Sequence, residues 1–146
     1  MSVAQDNTAI KNLALAYAQA VDRRDTVLLL SLFSDEAEIV MPGSCLKGKA
    51  ELAGIATMLE QMFESTQHKV FNHRAEINGD TATAETYCTA SHLRLLENGK
   101  REVEDWAVRY QDKLVKHNGE WLFSRRELVI DWVEVRPAMA FGEQFK

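Results

Sequence analysis

Histidine titrates near neutrality, so a search for proton-transfer chemistry begins with it. The chain has four: His68, His73, His92 and His117. His117 stands in a Lys-His-Asn-Gly turn sequence and reads as solvated. The other three fall in strand-like segments. Side chains alternate along a strand, so His73 and Asn72 face opposite sides unless a bulge intervenes. The residues alone leave open which of His68, His73 and His92 faces a pocket. A base also needs an orienting partner. A carboxylate on the second ring nitrogen fixes the tautomer and stabilises the imidazolium formed when a proton is taken. Such a pair suits removal of a carbon-bound proton beside a carbonyl or a leaving group. The two cysteines, Cys45 and Cys88, match no metal-binding spacing and read as free thiols of a reducing, cytoplasmic compartment.

The elements that must position these groups follow from periodicity. Ile10, Leu13, Ala14, Tyr17, Ala20 and Val21 recur at helical spacing and predict a helix from about Asn7 to Arg23. Asp25 is the N-cap of a second, short helix, Thr26 to Phe33, ended by Ser34-Asp35. Ala37 to Met41 reads as a strand stopped by Pro42-Gly43, and Lys49 to Phe63 as a third helix. The second half changes period. Val70 to Ile77, Thr81 to Leu96, Arg101 to Val115 and Glu120 to Val135 read as long strands separated by Asn/Gly turn signals. The plan is α+β: three N-terminal helices packed on a strongly bent, mostly antiparallel sheet, a cone-like α+β barrel enclosing a pocket.

Length and charge set the outer limits. At 146 residues the chain makes one domain, with a core over about 7–135 and a tail over 136–146. Seventeen basic against 22 acidic residues give a net charge of −5, which argues against nucleic acid or an anionic membrane as partner. The longest strongly apolar run, Val27 to Leu30, is far short of the ~20 residues of a membrane span, and the first ten residues lack the pattern of a secretory signal.

Several segments together resemble a known family. They are A-Y-A-Q-A-V-D-R-R-D over residues 16–25, L-F-x-D-E-A over 32–37, Gly48, Q-H-x-x-x-N over 67–72, the block 110–126 and Asp131-Trp132. The chain resembles the SnoaL-like branch of the nuclear-transport-factor-2-like, or cystatin-like, superfamily, from about Ile10 to Trp132. The nearest motifs are those of scytalone dehydratase, bile acid 7α-dehydratase and hexachlorocyclohexane dehydrochlorinase. The resemblance implies that Asp22 and His68 form the catalytic carboxylate–histidine pair and that Tyr17 is a catalytic hydrogen-bond donor. His92 matches a second pocket histidine, and Arg126 the family's usual arginine, which in the pocket would bind a carboxylate or enolate oxygen of the substrate. The implied chemistry is a cofactor-independent, dehydratase-like elimination on a small cyclic or polyketide-like hydroxy-carbonyl compound, with neither metal nor organic cofactor. Isomerisation or polyketide cyclisation in the same pocket is the alternative. A non-catalytic ligand-binding or assembly module, like the small subunit of ring-hydroxylating dioxygenases, is another.

Plainer roles stand beside these. Asp22 lies about 140° around the helical wheel from Tyr17, five steps of ~100°, as a solvated aspartate at a helix end would. A tyrosine on an apolar stripe is ordinarily core, and Arg126 can as readily pair with an acid. Trp106 is the strand tryptophan expected to face a ligand, and Asn72 is expected beside it as a binding residue. Asp105 stands where a small residue is expected. A small hydrophobic or cyclic molecule is thus the expected occupant, and a homodimer or homotrimer, burying part of the Trp-rich strand surface, the expected assembly. The tail from Pro137 carries Met139, Phe141 and Phe145 and is expected to close the pocket mouth or reach a neighbouring subunit. Truncation at Pro137 should leave the fold intact while changing oligomeric state or ligand retention. Sedimentation and ligand off-rates that both match the full chain would contradict this expectation.

Overall fold

The computed structural model describes residues 2–146. A helix comes first, α1 (Val3–Asp22), then a short α2 (Thr26–Ser31), and a hairpin of β1 (Phe33–Met41) and β2 (Ser44–Lys47). Two short helices follow, α3 (Gly48–Leu52) and α4 (Ile55–Met62), and four long strands complete the sheet: β3 (Ser65–Asn78), β4 (Thr81–Leu95), β5 (Arg101–His117) and β6 (Glu120–Ala138). The strand order is β2-β1-β6-β5-β4-β3. Only β1 and β6 run parallel; the other pairs are antiparallel. The architecture is the expected α+β one, but the bent sheet stays open, with β2 and β3 as free edges.

Local chemistry explains where the elements begin and end. Helix α1 starts four residues before the periodicity indicates, because Ser2 and Gln5 form a capping box outside the apolar stripe. Asp25 caps α2 through the Leu28 N–H at 3.0 Å, as its side chain predicts. The single helix expected over Lys49–Phe63 is broken at Ala53-Gly54, where Gly54 N–H bonds back to Glu51 O at 3.0 Å in a tighter turn. β1 starts at Phe33, four residues before the strand the pattern indicates. It continues past Pro42-Gly43 into β2, because that dipeptide is a hairpin turn rather than a stop. The β5–β6 turn places Asn118 at φ 49° and Gly119 at φ 78°, the two left-handed residues of the hairpin type that Asn-Gly favours.

Bulges decide which side chains turn inward. The β3–β4 register shifts between Val70 and His73, leaving Phe71 and Asn72 exposed. Thr66, His68 and Val70 face inward before the shift, and His73, Ala75 and Ile77 after it. Further shifts in the β5–β6 pairing, at Ala107/Val108 and Lys113/Leu114, help the long strands curve round the helices.

The core lies between the helices and the sheet's concave face, around Ile10, Leu29, Phe33, Leu52, Leu114 and Phe123. An ion pair sits inside it. Arg126 is fully buried and donates to both Asp112 oxygens, at 2.9 and 3.2 Å. Its guanidinium stacks 3.7 Å from the Tyr110 ring centroid and 4.3 Å from that of Tyr17. Removing one member of such a pair strands a buried charge, which costs about 3–5 kcal/mol. Arg126→Met should therefore lower the urea midpoint markedly, while Arg126→Met with Asp112→Leu should recover much of the loss. Equal destabilisation in the single and double variants would contradict this reading.

Candidate active site

Helix α1 ends at Asp22, whose carboxylate meets Thr66 and His68 near the start of β3. The His68 ring Nδ1 lies 2.7 Å from Asp22 Oδ1, and the His68 backbone N–H donates to Oδ2 at 2.8 Å. The Thr66 hydroxyl donates to Oδ1 at 3.0 Å. A carboxylate only accepts, so Nδ1 donates its proton to Asp22, and Nε2 is the ring nitrogen left free of it. Burial pushes the Asp22 carboxyl up, yet the bonds from the His68 ring and backbone and from Thr66 outweigh it, holding the carboxyl below its ordinary range. The result is an imidazole fixed in orientation through its Nδ1 and its own backbone N–H.

His68 opens onto a cavity of about 380 Å³ bounded by α1, the β1–β2 hairpin, α4 and the concave sheet. That volume is near the lower end of small-molecule sites, ~300–1,000 Å³, and suits a molecule of one or two rings. Ile39, Ile55, Leu59, Phe63, Val108 and Leu128 supply much of the wall, and exposed Pro42, Ser44 and Met62 mark the mouth. Among the described residues, no Asp, Glu, Lys or Arg lines it. Its polar groups are His68, His92, the hydroxyls of Tyr17 and Tyr110, and Ser44.

His92 is the second imidazole in this wall. It is packed between Phe63 and Trp106, with ring centroids 4.5 and 4.2 Å away. Its Nδ1 donates to the Glu104 carbonyl at 3.0 Å, leaving Nε2 as an acceptor. Burial pushes its pKa down, against the opposing bond to the Glu104 carbonyl, and the His68 ring centroid is 6.1 Å away. Tyr17 and Tyr110 form the floor. Burial pushes the Tyr17 phenol up to about 12, against the opposing pull of Arg126, so it remains a hydrogen-bond donor.

Five of the residues singled out from the sequence therefore meet at one cavity: Asp22 behind His68, with Tyr17, His92 and Trp106 in the wall. Two do not. Arg126 faces inward but lies beneath the tyrosine rings, bound to Asp112, and lines no part of the cavity. Asn72 is exposed, because the β3 bulge turns it out. His73 lies under α1, hydrogen-bonded to Thr86 Oγ1 at 2.8 Å and outside the cavity. Asp105 belongs to the sheet's other face, where it accepts from Ser91 at 2.6 Å and pairs with Arg136 at 2.9 Å. Tail residues add nothing to the wall, and Phe141 is 94% exposed. Thr66 and Tyr110 were missed. Thr66 sits two residues before His68 on the same strand face, the one signal available in the sequence. No group of three or more His, Cys, Asp or Glu among the described residues is placed to hold a metal, and no helix is long and apolar enough to cross a membrane.

A small open α+β cone with a carboxylate-held histidine at an apolar cavity defines the class. The SnoaL-like domain family matches residues 2–127, and the chain belongs to that family. Three solved structures show the same fold. A putative scytalone dehydratase from Novosphingobium aromaticivorans is 23% identical, with TM-score 0.76 and 94% of each chain covered. The hexachlorocyclohexane dehydrochlorinase LinA-type3 from Novosphingobium barchaimii is 19% identical, with TM-score 0.78 over 94% of this chain and 92% of that one. A Nostoc punctiforme protein of unknown function with a cystatin-like fold is 27% identical, with TM-score 0.75 over 88% and 93%. No curated protein matches the sequence.

The depressed Asp22 carboxyl has a consequence for stability. A group held below its unfolded value, ~3.9, stabilises the fold above that pH and loses this contribution as pH falls through the folded value. Asp22→Asn should be less stable than wild type at pH 7 and should lose less stability on acidification below about pH 4. Parallel stability–pH curves for the two proteins would contradict the assignment.

Proposed function

We propose that the protein is a cofactor-independent lyase of the dehydratase type acting on a small, uncharged cyclic hydroxy-carbonyl compound. The observation that carries this is the hydrogen bond from His68 Nδ1 to Asp22 at 2.7 Å, which leaves Nε2 to act as the base, on the wall of a cavity that no Asp, Glu, Lys or Arg lines among the described residues. His68 Nε2 takes the proton on the carbon next to the carbonyl, and the electron pair passes into an enolate. Asp22 stabilises the imidazolium, and Tyr17 donates a hydrogen bond to the enolate oxygen. The enolate then collapses: a carbon–carbon double bond forms, the carbon–oxygen bond to the hydroxyl breaks, and the imidazolium returns its proton to the departing oxygen as water. His92 holds the leaving hydroxyl by accepting its hydrogen bond at Nε2. Two structural relatives, a putative scytalone dehydratase and a dehydrochlorinase, support elimination. Isomerisation or cyclisation would share the first step and differ only in where the proton returns.

The wall also bears on substrate class. A carboxylate or phosphate inside it would lie unpaired, because Arg126 is sealed below the floor. The occupant is thus a neutral molecule. Trp132, Val133 and Val135 are 48–60% exposed along β6, which supports a homodimer or homotrimer as the assembled form.

Neutral cyclic β-hydroxy ketones in D₂O provide the test, with deuterium uptake and enone formation followed by NMR. His68→Ala and Asp22→Asn should each reduce exchange by about 10²–10⁴-fold, and Tyr17→Phe by about 10²–10³-fold. Exchange that survives unchanged in His68→Ala would overturn the reading.

A further inference from the structure

The Asp22–His68 pair has a support behind it that faces away from the cavity. Thr66 Oγ1 lies 3.0 Å from Asp22 Oδ1 and 2.9 Å from Arg24 Nη1. A guanidinium has no acceptor, so Thr66 must accept from Arg24. A hydroxyl has one proton, and that proton is therefore directed at Asp22. The same Arg24 Nη1 donates to the Val21 carbonyl at 2.6 Å, one of the last carbonyls of α1. Thr66 is only 5% exposed, which shields this chain of bonds from competing water.

The backbone at Arg24 sharpens the point. Its φ is 55°, in the left-handed region just after the helix, where glycine is the usual residue. An arginine there is conformationally strained, and what it adds over glycine is a side chain that reaches both Val21 O and Thr66. The carboxylate it steadies is poorly placed by its own helix, since the C-terminal end of a helix carries partial negative charge. Helix α1 has no basic residue in its last turn to offset this. The donors to Asp22 must come from β3 and be held rigid from outside.

Resting on the general-base reading above, we propose that Thr66 and Arg24 are positioning residues. They orient Asp22 Oδ1 so that His68 keeps its proton on Nδ1 and its lone pair on Nε2. Cys88 and His92 on β4 are further ionisable groups that act on this pair. Neither of them hydrogen-bonds to Asp22.

The tautomer of His68 reads this out without any substrate. Long-range ¹H–¹⁵N spectra of the ¹⁵N-labelled full chain distinguish Nδ1–H from Nε2–H, with circular dichroism confirming that each variant is folded. Wild type and Thr66→Ser should show the Nδ1–H form of neutral His68. Thr66→Val, which keeps the shape but not the hydroxyl, and Arg24→Gly, which keeps the backbone conformation but not the guanidinium, should lose that single form in favour of a mixture with Nε2–H. An unchanged Nδ1–H tautomer in both variants would overturn the positioning role and leave the general-base reading standing. A wild-type His68 protonated on Nε2 would overturn that reading, and the proposal with it.

Discussion

Everything at the cavity depends on one carboxylate placed where electrostatics disfavours it. Asp22 ends a 20-residue helix, facing the partial negative charge of its carbonyls. Three donors from a single strand satisfy it: the Thr66 hydroxyl, the His68 amide and the His68 ring. Because two of these belong to His68, the strand cannot slide without breaking the pair. A one-residue slip would also turn His68 out of the cavity. The interaction that orients the His68 ring is thus also one that registers β3 against α1.

The opposite end of the same helix is pinned by a second carboxylate in an easier setting. Asp6 lies in the first turn, where the helix dipole favours an anion, and accepts from Trp121 Nε1 at 2.8 Å and Lys116 Nζ at 2.9 Å. Helix α1 is thereby fastened to the β5–β6 hairpin at its start and to β3 at its end. Between the two ends, Tyr17 packs on Phe33, Phe123 and Tyr110 at 5.6–6.3 Å between ring centroids. A ligand in the cavity therefore meets a wall fixed at both ends and a floor of rings resting on the buried Arg126–Asp112 pair. That arrangement keeps a permanent charge close to the cavity while excluding it from contact with the occupant.

Much of this was legible in the residues. The apolar stripe of α1, the Asn/Gly turns and the change of period at mid-chain specify helices followed by a long-stranded meander, because these are local signals. The pairing of Asp22 with His68 was legible only through family resemblance, since nothing local links positions 46 residues apart. The misplacements have physical causes. Asn72 was turned out by a bulge that alternation cannot reveal, and the same bulge turns His73 in beneath the helix, outside the cavity that His68 and His92 line. Arg126 points inward but meets no ligand site. Whether it met a ligand or an acid depended on Asp112, which lies opposite it across β5 and β6. The clamp formed by Arg24 and Thr66 has no pattern of its own, because arginine after a helix and threonine in a strand are both commonplace.

The central claim is that His68 Nε2 is a free base turned toward a neutral occupant of the cavity. A crystal structure of the protein with a small cyclic hydroxy ketone bound tests it most directly. The account predicts the ligand inside the apolar wall, its acidic carbon facing His68 Nε2, with Nδ1 still on Asp22. A ligand that binds elsewhere, or a His68 whose Nε2 points away from a filled cavity, would contradict it.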